Sequence, residues 1–429
     1  MARSILPVAA LLLGTAFLLA ANGLHGLLLP MRGNVEGFSA ASLGLLGTSW
    51  ASGFVLGCIL APRLVMRTGH VRAFSAFAAV NAIVALLTGL VVDPIAWILL
   101  RMLTGFAMAA TFMVIESWLN ERATNESRGT IFSLYMMISY GSIVVGQMAL
   151  ATGSIVTPSF FMIAGILYCL ALVPTAISTA VSPTPLRSVS LDLKGLYRNS
   201  PIACGSIFLV GIANGAFGTL APVLGAQVGL STTSIATLMS VTIFAGALAQ
   251  FPAGRLSDRV DRRYVLAANS ALAALIGASV YLFAPTSTTA LFTLIGLYGA
   301  VSYTLYPIAV AHANDFARAE DFVKVSGGLL LLYGFGTIVG PTLGGPVMDA
   351  GGPHALFIVS MAAHLAIAVY AIIRSRRRAA IPAQERENFK TIPSVRVATQ
   401  EGLSLDPRAN ADAETSQPAE ELPPLRAAS

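Results

Sequence analysis

The strongest constraint in this chain is a succession of apolar runs, each long enough to cross a lipid bilayer. A spanning helix needs roughly 20 mostly apolar residues. Such runs cover Ile5–Leu29, Ala41–Leu64, Phe74–Val92, Ile95–Trp118, Ile131–Thr152 and Phe160–Ala180. Six more cover Ile202–Leu224, Ser234–Ala253, Val265–Phe283, Ala290–His312, Gly327–Met348 and Ala355–Ile373. The same criterion therefore gives about twelve spans. Pro and Gly inside them are tolerated, because neighbouring helices satisfy the freed backbone groups. Only 11% of the 429 residues are charged and 55% are hydrophobic, with a mean hydropathy of +0.75. A soluble domain carries about 25% charged residues. A soluble enzyme or nucleic-acid-binding protein is thereby set aside, and an all-α integral membrane protein is the expected class.

The net charge of +6 is explained by where the basic residues fall. One set of loops holds Arg63, Arg67, Arg72, then Arg122 and Arg128, then Arg187, Lys194 and Arg198. It continues with Arg255, Arg259, Arg262, Arg263, Arg318, Lys324 and the cluster Arg374, Arg376, Arg377, Arg378. The opposite set holds Arg32 alone. The positive-inside rule places the first set, with both termini, in the cytoplasm. The expected location is the inner (cytoplasmic) membrane, multi-pass. Residues 1–26 have the basic start and apolar core of a signal peptide, but the repeat described next argues for a retained helix. Cys58, Cys169 and Cys204 sit in separate apolar runs, so no disulfide framework or metal site is expected.

The two halves repeat each other. Asn22-Gly23-Leu24-His25-Gly26 recurs as Asn214-Gly215-Ala216-Phe217-Gly218, an offset of 192 positions. The same offset pairs Pro30 with Pro222, Gly37 with Gly229, Ser39 with Ser231, Ser42 with Ser234 and Arg67 with Arg259. Asn120-Glu121 matches Asn314-Asp315 at an offset of 194. The first span thus corresponds to the seventh. The expected organisation is a six-helix bundle over 1–180, a cytoplasmic linker over 181–200, a second six-helix bundle over 201–374 and a disordered cytoplasmic tail over 375–429.

Gly254-Arg255-Leu256-Ser257-Asp258-Arg259-Val260-Asp261-Arg262-Arg263 lies between the eighth and ninth spans. It resembles the signature loop of the major facilitator superfamily, Gly-x-x-x-Asp-Arg-x-Gly-Arg-Arg, departing once at Asp261. The first-half copy around Arg67 is degraded, with Pro62 at the first Gly and Met66 at the acid. Arg101-Met102-Leu103-Thr104-Gly105 resembles the family's Arg-x-x-x-Gly element of the fourth span. Gly327, Gly336, Gly340, Pro341, Gly344 and Gly345 fit the spacing of its antiporter glycine motif, but in the eleventh span rather than the fifth; close helix packing is the preferred reading. Ile115-Glu116-Ser117-Trp118-Leu119-Asn120-Glu121-Arg122 looks like the YcaD-like bacterial branch. Superfamily resemblance covers about Ser4 to Arg378 and implies a twelve-helix transporter with two pseudo-symmetric bundles.

That resemblance implies secondary transport of a small molecule by alternating access, with protons as a candidate coupling partner. A passive facilitator or a receptor that binds without translocating remains the alternative. No cofactor, metal or nucleic acid is implied, and a monomer is expected. No His-Glu-x-x-His, Gly-x-Ser-x-Gly or Walker loop is present, so the chain reads as a non-enzyme. Candidate substrate contacts are Asn22, His25, Arg101, Asn214, Tyr298, Ser302 and Tyr306. Tyr298, Ser302 and Tyr306 follow i, i+4, i+8, one stripe of a continuous helix. Each such residue is more often an interhelical hydrogen bond than a ligand. A charge inside a span costs about 2.5–3.5 kcal/mol, so Arg101 either faces a wet cavity or snorkels to the headgroups. Glu116 is the coupling candidate; it lies 15 residues from Arg101, about 22 Å along a helix, too far to pair. The loop residues Gly254, Asp258, Arg259, Arg262, Arg263, Arg67, Glu121 and Arg128 are expected to gate the cytoplasmic side. In that latch Asp258 faces the helix start near Arg128, Arg259 and Arg262 meet Glu121 and Glu126, and Arg67 reaches Asp315, Glu320 or Asp321.

Overall fold

The computed structural model describes residues 2–124, 127–177, 193–317 and 321–377, together with Phe389, Thr399 and Gly402. Among these residues, twelve segments are long and apolar enough to cross a membrane. The first half contains α1 (Ala2–Val35), α2 (Ala40–Thr68), α3 (His70–Leu90), α4 (Pro94–Arg122) and α5 (Arg128–Ala149). Its sixth span is α6 (Ser159–Leu170) continued by α7 (Leu172–Ile177). The short α8 (Leu193–Asn199) precedes the second half. That half contains α9 (Pro201–Gln227), α10 (Thr232–Arg259) and α11 (Arg262–Phe283). Its tenth span is split into α12 (Thr288–Ser302) and α13 (Leu305–Asp315), before α14 (Phe322–Gly351) and α15 (Leu356–Ser375). Each sequence-read span falls on one of these segments. Residues 181–192 of the expected linker and most of the expected tail lie outside the described residues.

The repeat is visible in how the helices start. After the first span the chain turns at Gly37 with φ 78°, and after the seventh at Gly229 with φ 84°. Both are left-handed conformations that a side chain strains. Two residues later, Ser39 and Ser231 cap α2 and α10, their hydroxyls accepting from Ser42 N and Ser234 N at 3.1 Å. Such caps are each worth about 1 kcal/mol. The 192-residue offset is therefore an offset between equivalent turns.

Glycine lets the spans approach to backbone contact. A Cβ on Gly53 of α2 would overlap the carbonyl of Met102 on α4, and one on Gly105 of α4 the carbonyl of Trp50 on α2. In the second half, a Cβ on Gly336 or Gly340 would strike the Phe208 or Ile212 carbonyl of α9. Gly345 sits equally close to Ala40 of α2, across the boundary between halves. The glycine run of the eleventh span is thus a packing surface for both α9 and α2. Large apolar side chains such as Val145, Phe244 and Leu275 remain exposed on the perimeter, where lipid covers them.

Gly105→Val should lower stability by at least roughly 1–3 kcal/mol, the usual cost of overpacking, because the obstruction is backbone. Gly141 has no atom within 4 Å of a built Cβ, so Gly141→Ala should leave the thermal midpoint in detergent unchanged. Equal midpoints for the two variants would show that α2 and α4 do not need this contact.

Candidate functional site

A cavity of about 520 Å³ lies between the two halves. The first half contributes α1 through Asn22 and Gly26, α2 through Trp50 and Phe54, α4 through Arg101, and α5 through Tyr140 and Gln147. The second contributes Asn214 and Thr219 of α9, Met239, Ile243 and Gln250 of α10, and Tyr333 and Thr337 of α14. Toward the arginine-rich end its walls extend to Arg63 and Met66 of α2 and Gly327 of α14.

At the arginine-poor end the halves are joined. The carboxylate of Asp349, near the end of α14, accepts Ala40 N at 2.8 Å and Ala41 N at 2.9 Å, the first turn of α2. Backbone N–H groups there have no intrahelical partner and carry the positive end of the helix dipole. Two turns deeper, Thr48 Oγ1 lies 2.8 Å from Thr342 Oγ1 and donates to Ile338 O at 3.2 Å. Ser240 of α10 donates to Gln147 of α5 at 3.5 Å, and Gln227 Nε2 donates to Asn34 Oδ1 at 3.4 Å.

Arg101 reaches the cavity rather than only the headgroups. Its guanidinium lies 5.9 Å from the centre of the Trp50 ring, and Nη2 is 3.6 Å from where a Gly26 Cβ would stand. Trp50 stacks on Phe54 with centroids 5.1 Å apart. Trp50 Nε1 and Asn22 Oδ1 are buried without a hydrogen-bond partner.

Of the seven sequence-derived substrate contacts, Asn22, Arg101 and Asn214 line the cavity. His25, Tyr298, Ser302 and Tyr306 do not. His25 points the other way on α1, its ring edge-on to Phe161 of α6 at 6.0 Å. The tenth span breaks at Tyr303 and Thr304, held by Asn269 Nδ2 donating to Thr304 Oγ1 at 2.8 Å. The break removes the continuous stripe and turns Tyr303, rather than its neighbours, into the cavity. Ser302 instead donates to Asn214 Oδ1 at 2.9 Å from behind the wall, and Tyr298 Oη meets His364 Nε2 at 3.1 Å. Tyr306 packs edge-on against Tyr333 at 5.3 Å. Trp50, Tyr140 and Tyr333 are wall residues the sequence reading did not name. Their polar atoms are hidden in aromatic side chains that read as span core.

The signature loop is tied within the second half. Arg262, 2% exposed, donates from Nε to Asp315 Oδ2 at 2.7 Å and from Nη1 to Asp258 Oδ1 at 3.2 Å and Ser257 Oγ at 3.1 Å. Arg263 pairs with Asp261 at 2.6 Å. Burial raises the Asp261 carboxyl, but the Arg263 hydrogen bonds and charge outweigh it and hold the group below the usual carboxylate range. The cross-half contacts were expected only with the cytoplasmic side closed; here Arg262 donates to Asp258 and Asp315 of its own half. Arg67 and Arg259 are exposed. Glu126, Arg318 and Glu320 lie outside the described residues. Arg262 is matched by carboxylates of its own half, and removing either partner of a buried ion pair is the costly change.

Glu116 is fully buried and outside the cavity lining. Tyr135 Oη donates to Oε1 at 3.0 Å. The rest of its shell comes from the far C-terminus: Thr399 N at 3.0 Å, the Thr399 hydroxyl and Gly402 N at 2.9 Å all donate to Oε2. Phe389 N donates to Asp258 Oδ1 at 2.9 Å, with its ring against Gly254. The described positions of the expected disordered tail thus touch both halves.

The Major Facilitator Superfamily profile matches residues 11–199 and 203–413. An "uncharacterized MFS-type transporter" of Yersinia pestis (strain Pestoides F) is 26% identical over 355 residues, covering 82% of this chain and 92% of that one. YcaD of Escherichia fergusonii, another MFS-type transporter, is 28% identical over 359 residues with the same coverages. The crystal structure of the nucleoside transporter NupG superposes with a TM-score of 0.72 at 16% identity, covering 85% of this chain and 98% of that one. A bacterial homolog of the human lysosomal transporter Spinster, inward-facing and occupied, gives 0.67 at 18% identity, covering 90% and 98%. At those identities the structural likeness shows the fold.

Removing the Asp349 charge should loosen the arginine-poor closure. Its interaction with the α2 N-terminus is solvent-exposed and worth roughly 1 kcal/mol, so Asp349→Asn should shift the balance of states about fivefold toward opening at that end. Spin-label distances between positions 35 and 233, both exposed at that end, would report this as a longer component. Unchanged distances would mean the glycine and threonine contacts suffice.

Proposed function

This chain belongs to the major facilitator superfamily, and from that membership we propose that it is a secondary transporter moving a small molecule by alternating access. Membrane transport is what its family and its structural neighbours share. The observation that carries the finer reading is the cavity at the seam of the halves, closed by α2–α14 and α5–α10 contacts at one end and lined as far as Arg63 and Met66 at the other. Alternating access requires two such states, related by rocking one bundle against the other. With the arginine-rich loops in the cytoplasm, this is the inward-open state of a monomer in the inner membrane. Asn22, Arg101 and Asn214 are the proposed substrate contacts. A receptor that does not translocate is the competing reading, and exchange of label across proteoliposomes separates the two. Label that never crosses would favour the receptor.

The orientation has its own test. An impermeant maleimide should label Val35→Cys in intact cells, in a background without the native cysteines. It should label Lys194→Cys only after permeabilisation. Labelling of Lys194→Cys from outside would reverse the assignment.

We further propose that Glu116 carries the coupling proton. A buried carboxylate that gains and loses its donors as the C-terminal residues Thr399 and Gly402 dock and leave has two environments in which to bind or release a proton. Glu116→Gln should abolish accumulation driven by a pH gradient while sparing exchange of substrate between compartments. Normal accumulation in this variant would assign coupling elsewhere or leave a passive facilitator.

A further inference from the structure

We propose that the cavity takes an amphipathic organic monoanion, a single carboxylate on an apolar, ring-bearing body, with the carboxylate held at Arg101 beside Trp50. The assignment rests on the transport reading for its purpose, but not for its chemistry.

The charges of the wall decide the sign. Among the described residues the lining contains no Asp, Glu, Lys or His; its ionised side chains are Arg63 and Arg101. A cationic ligand would enter a positive field with no carboxylate to meet it. A neutral ligand would displace water at the Arg101 guanidinium without returning a charge-assisted bond. A carboxylate matches the planar donor fork of arginine, and charge-assisted bonds of this kind are the strong ones. The neighbouring atoms fit the same ligand. The Trp50 ring fixes the guanidinium from one side at 5.9 Å. Its Nε1 donor and the Asn22 Oδ1 acceptor are buried without partners, so a bound polar group there would complete hydrogen bonds that the empty wall lacks.

The spacing of the charges decides their number. Arg63 follows Trp50 by 13 residues on α2, about 20 Å along the helix. It stands at the mouth and is exposed. A compact, ring-bearing molecule with its charge at Arg101 is not placed to give Arg63 a second, because the two arginines line different ends of the cavity. Arg63 therefore attracts the anion without holding it in the bound position, the steering role of a charge at a cleft entrance.

The remaining wall describes the body of the ligand. The stacked pair Trp50–Phe54 and the apolar side chains Met239 and Ile243 offer a surface for a ring. Asn214, Gln147 and Gln250 supply neutral amides on the far walls, suited to a hydroxyl or amide substituent and not to a second charge. The volume lies within the range typical of small-molecule sites, about 300–1,000 Å³.

The test uses the full chain in lipid nanodiscs and a panel of one- to three-ring aromatic carboxylates, each with its matched primary amide and amine. Binding is read as tryptophan fluorescence and as ligand-induced thermal shift. At least one acid should bind about tenfold or more tightly than its amide, as expected when a charge-assisted bond replaces a neutral one, and the amines should not bind. Arg101→Gln should make acid and amide equal, and Arg101→Lys, which keeps the charge and the fold, should restore part of the preference. Amides or amines that match the acids in the unaltered protein, a preference that survives Arg101→Gln in folded protein, or no acid binding at millimolar concentration would each overturn the proposal. Counterflow of the preferred labelled acid separates the two readings. Selective binding without exchange leaves the anion site standing and removes transport. Exchange of neutral compounds with no acid preference does the opposite.

Discussion

One carboxylate on the first turn of one helix organises the state seen here. Asp349 belongs to α14 of the second half, and the N–H groups it accepts belong to α2 of the first. Those donors are among the few backbone groups of a spanning helix that no intrahelical bond can satisfy. The capping serine occupies one of them, Ser42 N; Asp349 takes two others. Because α2 and α14 then run side by side, with Gly44 and Gly345 at backbone contact, the two bundles pivot together at that end. The cavity lies beyond this junction, its walls reaching Arg63 and Met66 toward the other end.

The repeat makes the differences between halves informative. Positions 258, 262 and 315 hold an Asp–Arg–Asp cluster, while their counterparts by repeat offset are Met66, His70 and Glu121. His70 meets Ser117 at 3.1 Å, with Glu121 near enough to act on it as a charge. The second half thus carries a tightly tied loop, with Arg262 buried between two carboxylates, and the first half carries a looser one with exposed Arg67 and Met66. An ion cluster of this kind, satisfied inside one bundle, makes that bundle a rigid body. Removing one partner would leave a buried charge, the costly case for an ion pair.

Much of this architecture can be read directly from residue patterns. Twelve apolar runs require twelve helices because lipid offers no hydrogen bonds to anything else. Turn glycines and capping serines that recur at one offset mark equivalent corners. The cavity was legible where a polar or charged residue stands alone in an apolar run, as Asn22, Asn214 and Arg101 do. Tyr298, Ser302 and Tyr306 misled because helical periodicity presumes a continuous helix, whereas Pro307 cannot donate to the Tyr303 carbonyl four residues before it and marks the break at Tyr303 and Thr304. Trp50 was illegible for a different reason: an aromatic ring in a span reads as core, and only the place of Arg101 beside it gives its nitrogen a purpose. Asp349 was equally silent, since its partner is backbone, which every sequence contains.

The C-terminal segment ties the open end to the same geometry. Phe389 is held on Asp258 of the second half, and Thr399 and Gly402 on Glu116 of the first. Ten residues of chain span at most about 36 Å when fully extended, so with both ends docked the halves cannot part further than that length allows. The anchors differ in kind. Asp258 also accepts from Arg262, a partner in its own bundle, whereas Glu116 has three of its described donor atoms from Thr399 and Gly402 and one from Tyr135. Loss of Thr399 and Gly402 would therefore cost the first-half anchor most, leaving a carboxylate inside the membrane-spanning region with a single described donor. Thr399, Gly402 and the buried acid depend on each other, and they sit at the arginine-rich end, opposite the Asp349 contact.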